Sequence, residues 1–496
     1  MKRWWPLFLL IFSWPAFSAE RSIIYLRSSD VTTLDPGRSE DTYSSEVIAN
    51  LFEGLVRFRR DSFAIEPALA DHWQVENGGK IWRFFLRRGV KFHNQAGFNA
   101  QAVVYSFNHR IKRSGSDYPN WKQHLSAIQS VKALDRFTVE IVLDKPYAPF
   151  LALLALPNAY IVAPGSYDSQ KFRPIGTGPF CFKRRTAGQS LIIERFPGYW
   201  DGTARVDRVT FGINRDSIWR LLKIKNGAAD IVPIQSAREY EEVATQSGIG
   251  FVSSPSLRIL YLGFNLRHKP FDQLKVRQAF RCLLDKKVLA KLVFQNLAQP
   301  IVMPLPENLL PANIKFSEAA PNIAKAQKLL KQAGLRNGFD CKLYFAEGQA
   351  GVKEIADRLA MNAGLANIRM RKNSLPFEKL REIAQAGLHD LLIIGFRTAP
   401  DADLYLRSLF TDDRTSNHSF YTNPSLTDLL SRGNQTMVEA DRHEIYRQAL
   451  TIIDRDVPII PLLSINNVVA HRRSISSLYF SPLGHLMFKE TEKSGQ

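Results

Sequence analysis

The segment PIGTGPF, residues 174–180, places two glycines around a threonine, and bare backbone of this kind could cradle a phosphate group. A dinucleotide-binding loop needs a third glycine between a strand and a helix, whereas here Phe180 opens the strand-like FCFKRR at once. Gly176 and Gly178 can instead take positive φ, and Pro179 fixes the direction in which the chain leaves. The pattern therefore favours a sharp structural turn over a phosphate site.

Other short patterns that carry enzyme chemistry are missing. The chain has no GxSxG nucleophile turn, no glycine-lysine phosphate loop and no CxxC pair, and HEIYR at residues 443–447 lacks the second histidine of a zinc helix. Cys181, Cys282 and Cys341 stand far apart, which favours buried free thiols over a disulfide framework. We predict no enzymatic activity, no cofactor and no metal site.

The N-terminus reads as an export signal. Lys2 and Arg3 precede a short apolar run, and small residues follow around Ala16 and Ala19, so residues 1–18 are predicted to be a cleaved signal peptide. No cysteine stands near the cleavage point to carry a lipid anchor. We expect a mature protein that is free in a periplasm.

The mature chain is strongly basic. The net charge of +19 becomes +17 once the two cations of the signal are removed. The densest basic stretch is residues 80–122, yet no zinc-finger spacing, basic zipper or RNA-binding aromatic signature accompanies it, so no nucleic-acid partner is predicted. We interpret the excess of positive charge as a solvent-exposed basic face of the protein. The alternatives are that it binds an acidic ligand, a protein partner or an anionic membrane.

Strand and helix patterns alternate along most of the 496 residues, which predicts an α/β protein of two or three domains. In KIWRFFLR, Trp82, Phe84 and Leu86 fall on one face and Arg83 and Arg87 on the other, as in a half-buried strand. Residues 276–294, VRQAFRCLLDKKVLAKLVF, are predicted to form one helix, and residues 440–454 the last.

Several segments, in this order, resemble family 5 of the bacterial extracellular solute-binding proteins, the peptide- and nickel-binding class. Besides PIGTGPF they are EGLVRF at 53–58, the stretch 66–107, FPGYWDG at 196–202, YLGFNLRHKPFDQLKVRQAF at 261–280, AKAQKLLKQAG at 324–334 and DVPIIPLL at 456–463. The resemblance implies a two-lobed periplasmic binding protein fold with an extra domain, in which the ligand lies between the lobes.

The resemblance also implies a domain plan. We expect the two chain crossings between the lobes near PIGTGPF and near GFNLRHKPF at 263–271. The expected limits are residues 19–56, 175–265 and 472–496 for a discontinuous lobe I, 57–174 for the extra domain packed on it, and 266–471 for lobe II.

The function implied is that of a periplasmic substrate-binding protein of an ABC importer. It would capture short peptides, close around them and deliver them, as a monomer, to an inner-membrane permease. A binder of a nickel chelate or another small molecule is the first alternative, and an exported hydrolase is the second. A DNA-binding regulator with the same ligand-binding fold is disfavoured, because a signal peptide occupies the end where its DNA-binding module would stand.

In peptide-binding members of the family, an aspartate on a loop after a late strand meets the peptide's α-amino group. The matching loop is GFRTAPDADLYL at 395–406, where Asp401 or Asp403 could serve, although the family's acid usually stands where this chain has Ala399 and Pro400. The alternative interpretation is that both aspartates cap the loop.

Weaker ligand-binding candidates complete the predicted site, each with a plainer structural alternative. They are Ser28, Ser29 and Asp30 at the end of the first strand, Arg397 for a ligand carboxylate, Thr398 on the same loop, Trp121 and Tyr405 for stacking, and His418, which lies near the position of a histidine in nickel-binding relatives.

Overall fold

A computed structural model of the chain describes residues 21–494, apart from 114–116, 119–120, 122–124, 169–170, 296, 312–315, 317–319 and 412–414. The predicted signal peptide, residues 1–18, lies outside the described residues.

The first large sheet has seven strands in the order β12-β19-β11-β1-β10-β9-β8. β1 runs parallel to both β10 and β11, and the outer pairs are antiparallel. The strands are β1 Ser22–Arg27, β8 Phe180–Thr186, β9 Ser190–Arg195, β10 Arg208–Ile213, β11 Ile231–Pro233, β12 Ile249–Ser254 and β19 Asn467–Arg472.

The second large sheet has six strands in the order β14-β18-β13-β17-β15-β16. β15 is parallel to β16 and β17, while β13 is antiparallel to its two neighbours. The strands are β13 Ile259–Phe264, β14 Ala298–Pro300, β15 Phe339–Ala346, β16 Ile368–Leu375, β17 Leu391–Phe396 and β18 Ile459–Ile465.

A third, antiparallel sheet has the order β4-β5-β7-β6, and three two-stranded pairs accompany it. Its strands are β4 Ala70–Glu76, β5 Ile81–Leu86, β6 Ile128–Ala133 and β7 Thr138–Leu143; the pairs join β2 Val56–Phe58 with β3 Ile65–Pro67, β20 Ile475–Ser476 with β23 Glu492–Lys493, and β21 Tyr479–Phe480 with β22 Leu486–Met487. Trp82, Phe84 and Leu86 of β5 are buried, which confirms the alternation seen in the sequence.

Thirteen α-helices surround these sheets within the described residues. They are α1 Thr42–Leu51, α2 Ala100–Lys112, α3 Phe150–Leu154, α4 Ser217–Lys225, α5 Ala237–Ala244, α6 Leu274–Arg281, α7 Lys286–Leu292, α8 Ile323–Gln332, α9 Val352–Leu365, α10 Phe377–Ala386, α11 Ala402–Phe410, α12 Pro424–Gly433 and α13 Glu439–Asp456. No helix in the described part of the chain is both long enough and apolar enough to cross a membrane.

The single helix expected over 276–294 is instead the pair α6 and α7. The side chain of Asp285 accepts a hydrogen bond from the amide of Val288, so it caps the start of a second helix. Leu283 and Leu284 between the two helices are buried, and the turn lets both helices pack on the same core. The prediction failed because apolar spacing alone does not reveal a break that an N-cap aspartate creates.

The chain crosses between the large sheets through residues 255–258 and returns through Asn466. Ile259–Phe264 pairs on both sides with strands of the second sheet, so the crossing lies before this strand and not near GFNLRHKPF. PIGTGPF leads into β8 of the first sheet, which begins at Phe180, and does not connect the two large sheets. The expected crossing positions are therefore wrong, while the domain limits stay a prediction.

PIGTGPF packs against the end of α1. The amide of Gly178 donates to the carbonyl of Leu51 at 3.0 Å, and a Cβ atom on Gly176 would lie 2.1 Å from that carbonyl oxygen. Neither glycine is among the residues with positive φ, so the predicted reason for these glycines was wrong. They are required by close backbone approach, as in a tightly packed structural turn.

Three segments that resemble the family converge on the half-buried carboxylate of Glu53. Glu53, of EGLVRF, accepts hydrogen bonds from Thr177 Oγ1 at 2.7 Å, from Tyr199 Oη at 2.8 Å and from Trp200 Nε1 at 3.0 Å. Burial raises the pKa of Glu53 above its ordinary value, and these donors oppose the increase. The three segments therefore form a structural joint and do not contribute to the cleft between the sheets.

Candidate ligand-binding cleft

A cavity of about 220 Å³ lies where the two large sheets face each other. It is bounded by the start of α1, by residues 156–158, by Leu257 of the first crossing and by the segment after β17. Leu483 and His485, near the C-terminus, close its remaining side. The carboxyl ends of parallel strands are the usual ligand edge of such sheets, and both lobes present that edge here.

Arg397 spans the cleft. It directly follows β17, and its Nη1 donates to Thr42 Oγ1 at 3.0 Å while its Nη2 donates to the carbonyl of Leu483 at 3.3 Å. One side chain of the second lobe thus contacts two separate elements of the first. Three of the five guanidinium N–H groups take no part in these bonds and are available to a ligand.

Arg258, in the first crossing, adds a second positive charge beside Arg397. Burial and the neighbouring charge of Arg397 lower the pKa of Arg258, and burial lowers the pKa of Arg397. Among the described residues, no carboxylate forms an ion pair with either arginine. Two adjacent guanidinium groups without a counter-ion favour the binding of an anion.

A polar cluster lies at the end of β1 on the first lobe. Ser28 Oγ exchanges a hydrogen bond with Tyr43 Oη and accepts one from Gln235 Nε2 at 3.4 Å. Next to this cluster Arg220 is buried, and its guanidinium bonds to backbone carbonyls and to the side chain of Gln235. Arg27, equally buried, faces Glu46 at 3.5 Å. Arg27 and Arg220 therefore have partners within the first lobe and do not line the cleft, whereas Glu40 and Asp41 do.

Asp401 and Asp403 are bound by protein partners. Asp401 caps α11 and accepts a bond from Arg442 Nη2 at 2.7 Å. Asp403, fully buried, accepts two bonds from Arg407 at 2.9 and 3.0 Å and one from Tyr446 Oη at 3.1 Å. Burial raises the pKa of Asp403. These contacts match the capping interpretation, and the role as amine anchors stays a prediction without support from the geometry.

Both predicted stacking residues lie in cores. Trp121 is 1% exposed and packs edge-on against Phe107 in the core beside the four-stranded sheet. Tyr405 is fully buried on α11 and donates to the carbonyl of Leu257. Neither ring faces the cleft in this structure, although Tyr405 holds the first crossing in place.

The other candidates divide between the cleft and the scaffold. Thr398 lines the cleft together with Arg397, whereas Ser28 bonds to Tyr43 and Gln235 and is not among the lining residues. Asp30 instead binds Arg185 Nη2 at 2.9 Å and the amide of Gly188; burial alone would raise the pKa of Asp30, but these bonds lower it. Ser29 is exposed beside it.

His418 also belongs to the scaffold. It is 7% exposed, its Nε2 lies 3.1 Å from the carbonyl of Thr415, and its own carbonyl faces His389 Nε2 at 3.0 Å. Among the described residues, no group of three or more histidine, cysteine, aspartate or glutamate side chains could hold a metal ion.

Sequence reasoning missed Thr42, Asn158, Leu257, Arg258 and His485, all of which lie along the cleft or its crossing. They come from four separate parts of the chain, and none belongs to a recognisable motif. Only the position of Arg258 directly before β13 could have marked it, had the crossing been placed correctly.

Comparisons with known proteins agree with this architecture. The family model of bacterial extracellular solute-binding proteins, family 5 Middle, matches residues 64–417. The chain is 28% identical to the glutathione-binding protein GsiB of Pectobacterium atrosepticum, over 96% of this chain and 95% of that protein. It is 27% identical to the dipeptide-binding protein of Escherichia coli K12, over 91% of this chain and 90% of that protein.

A solved structure of HbpA2 from Haemophilus parasuis superposes with a TM-score of 0.87 at 24% identity, over 96% of this chain and 100% of that chain. The fold is therefore that of a two-lobed binding protein, as the resemblance implied. Because the family model covers more than half of the sequence, the chain belongs to family 5 of the bacterial extracellular solute-binding proteins.

Proposed function

We propose that the protein captures short peptides in the cleft between its two large sheets and delivers them to an inner-membrane permease of an ABC importer. It acts as a monomer in the periplasm, after removal of residues 1–18 and without a lipid anchor. The names of two relatives, a glutathione-binding and a dipeptide-binding protein, support a peptide ligand. Binding without turnover is expected, since family members are solute-binding proteins.

The observation that carries the proposal is the pair Arg397 and Arg258, which has no acidic partner among the described residues. A peptide's C-terminal carboxylate would accept a forked pair of hydrogen bonds from Arg397 and neutralise the local excess of positive charge. A hydrogen bond to a charged group contributes roughly 1.5–3 kcal/mol, so losing it should weaken binding by about 10- to 100-fold.

Arg397 also couples binding to closure. Its bonds to Thr42 and to the Leu483 carbonyl already join the second lobe to the first. A carboxylate held at this point would bridge the same elements and bind the closed arrangement more tightly than an open one. Delivery to the permease then depends on this closed form.

The pairing of the strands supports an extra domain at residues 57–174, since all four strands of the third sheet fall between Ala70 and Leu143. We propose that the lobes meet at the two crossings, residues 255–258 and Asn466, instead of at the expected limits 265–266 and 471–472. Both segments that connect the lobes, and that would act as the hinge when the lobes close, would then be short.

The test is to identify the solute that accompanies the protein. Mature protein from the host's periplasm is denatured, and the released small molecules are identified by mass spectrometry. Short peptides are expected from the wild type and from Arg432→Gln, a control in which an exposed arginine paired with Asp428 is changed. Arg397→Gln should retain much less peptide. A metal chelate or a non-peptide metabolite would contradict the proposal, and cleavage of an added peptide would indicate a hydrolase.

A further inference from the structure

A second space between the lobes borders the two crossings. Its volume is about 270 Å³, and both lobes contribute to its wall. We call it the crossing pocket; it is lined by residues 234–238 of the first lobe, by Arg258, Ile465 and Asn466 at the crossings, and by Val293, Phe294, Leu297, 349–351 and Glu354 of the second lobe. Leu257 lines the cleft and the next residue, Arg258, lines this pocket, so the two spaces lie side by side.

The guanidinium group of Arg258, although it lines the crossing pocket, lies close to the cleft as well. A Cβ atom added to Gly395, which stands two residues before Arg397, would lie 2.7 Å from Arg258 Nε. Arg258 is also near enough to Arg397 for the positive charge of Arg397 to lower its pKa. A ligand that places one anionic group at Arg397 therefore has a second positive group within reach.

Arg238 supplies a further positive charge from the first lobe. It lies in the first turn of α5, and both Arg238 and Arg258 are exposed, so a ligand can reach them. In the part of the chain that the structure describes, neither arginine forms an ion pair. Glu242, one helical turn beyond Arg238, pairs with Lys225 at 2.8 Å instead. The pocket thus presents two guanidinium groups to which an anion can bind.

The charged groups of the wall leave an excess of one positive charge. Glu354 is the one carboxylate among the described residues that line the pocket, against the two arginines. It lies in the first turn of α9, whose N-terminus has no side-chain cap, so the helix dipole offsets part of its negative charge. One anionic group of a ligand would therefore neutralise the pocket.

The remainder of the wall suits methylene groups next to the anionic group. Its apolar side chains are Ile234, Val293, Phe294, Leu297 and Ile465, and its neutral polar ones include Gln235 and Gln349. Apolar walls with a small number of polar groups are usual for sites that bind small molecules. A carboxylate carried on a short chain of methylene groups, as in glutamate, matches this combination better than a bare inorganic anion does.

We propose that the crossing pocket binds the acidic side chain of a peptide whose C-terminal carboxylate is held at Arg397. Arg238 donates forked hydrogen bonds to the side-chain carboxylate, and Arg258 stands close to both anionic groups. The Cα atoms of neighbouring residues are about 3.8 Å apart, so one short peptide can present two carboxylates to adjoining spaces. The inference rests on the proposed peptide-binding function and narrows its substrate class to acidic peptides.

The test measures, by titration calorimetry, the binding of two matched peptide pairs, Glu-Ala with Gln-Ala and Ala-Glu with Ala-Gln. Within each pair the side chains have almost the same size and shape, and only the charge differs. We expect the wild type to bind the Glu member of at least one pair about tenfold more tightly than its Gln counterpart. Arg238→Gln should lose this preference. The control Arg432→Gln, changed at an exposed arginine paired with Asp428, should keep it.

Equal affinity for the Glu and Gln members of both pairs would overturn the inference, and so would an undiminished preference in Arg238→Gln. The same peptides with C-terminal amides separate this failure from a failure of the proposed function. If the wild type still prefers the free acid to the amide, the carboxylate site at Arg397 stands and only the crossing pocket loses its assignment. If none of the four peptides binds, the proposed function fails and the inference fails with it.

Discussion

Replacing Asp403 by asparagine should destabilise the protein and leave peptide affinity unchanged. The carboxylate is fully buried and accepts three hydrogen bonds, two from Arg407 and one from Tyr446. Asparagine keeps the shape but removes the charge and exchanges one acceptor oxygen for a donor NH₂ group, which faces donors already present. No oxygen of Asp403 remains free for a ligand amine.

The magnitude follows from the burial of the pair. Removing one partner of a fully buried ion pair costs roughly 3–5 kcal/mol. The Arg407 side chain is 31% exposed and also donates to the carbonyl of Leu430 at 2.6 Å, so part of its charge stays solvated. We therefore expect a loss of about 2–3 kcal/mol in the free energy of unfolding. Peptide affinity should remain within about twofold of the wild type.

Urea unfolding followed by circular dichroism measures the first quantity, and titration calorimetry with the recovered peptide measures the second. Asp428→Asn is the matched control, because Asp428 is 67% exposed and pairs with Arg432 within one helix. The reasoning would be refuted if Asp403→Asn unfolded like the wild type yet bound peptide more than tenfold more weakly. That result would make Asp403 the amine anchor.

Two further substitutions test the packing at the turn and the buried imidazole. Gly176→Ala should lower the free energy of unfolding by about 3 kcal/mol, because its Cβ would lie 2.1 Å from the Leu51 carbonyl oxygen. The control is Gly97→Ala, which adds a Cβ in open space and should be neutral or slightly stabilising. Equal stability of the two variants would contradict the tight packing of the turn. In the folded protein the pKa of His485 is lowered from 6.5 to about 3. Below pH 6.5 the imidazole of the unfolded chain is therefore protonated while that of the folded protein is not, and the free energy of unfolding decreases as the pH is lowered. Between pH 7 and 5 the wild type should therefore lose about 2 kcal/mol more than His485→Gln in urea unfolding, and parallel losses would show that the ring titrates normally.

Local patterns predicted the elements better than they predicted the site. The alternation of apolar residues in KIWRFFLR predicted β5, and the N-cap Asn99 before apolar residues at helical spacing is a local signal of the same kind for α2. The last helix extends from Glu439 to Asp456, two residues beyond the predicted end. These features depend on neighbouring residues, so the sequence contains the information they need.

The segment after β17 shows where such reasoning was incomplete. It was expected to be a loop as far as residue 406, but Asp401 caps a helix that runs from Ala402 to Phe410. An aspartate before apolar residues at helical spacing is an N-cap signal, and the resemblance to a binding loop obscured it. Asp403 consequently lies in the first helical turn and faces Arg407, one turn further along.

The cleft itself depends on contacts between residues far apart in the chain. Arg397 contacts Thr42, 355 positions earlier, and the carbonyl of Leu483, 86 positions later. That Arg258 lies beside Arg397 without a carboxylate partner among the described residues can be recognised only when the position of the crossing relative to β17 is known. Arg397 was named from the sequence as a carboxylate partner, but its role as a bridge between lobes could not be.

The most direct test of the account is whether Arg397 recognises a carboxylate in the cleft. The most abundant recovered peptide and the same peptide with a C-terminal amide are titrated against the wild type, Arg397→Gln and Arg432→Gln. We predict that the wild type and the Arg432→Gln control prefer the free acid by at least about tenfold, and that Arg397→Gln binds acid and amide equally. An undiminished preference for the acid in Arg397→Gln would contradict the central claim.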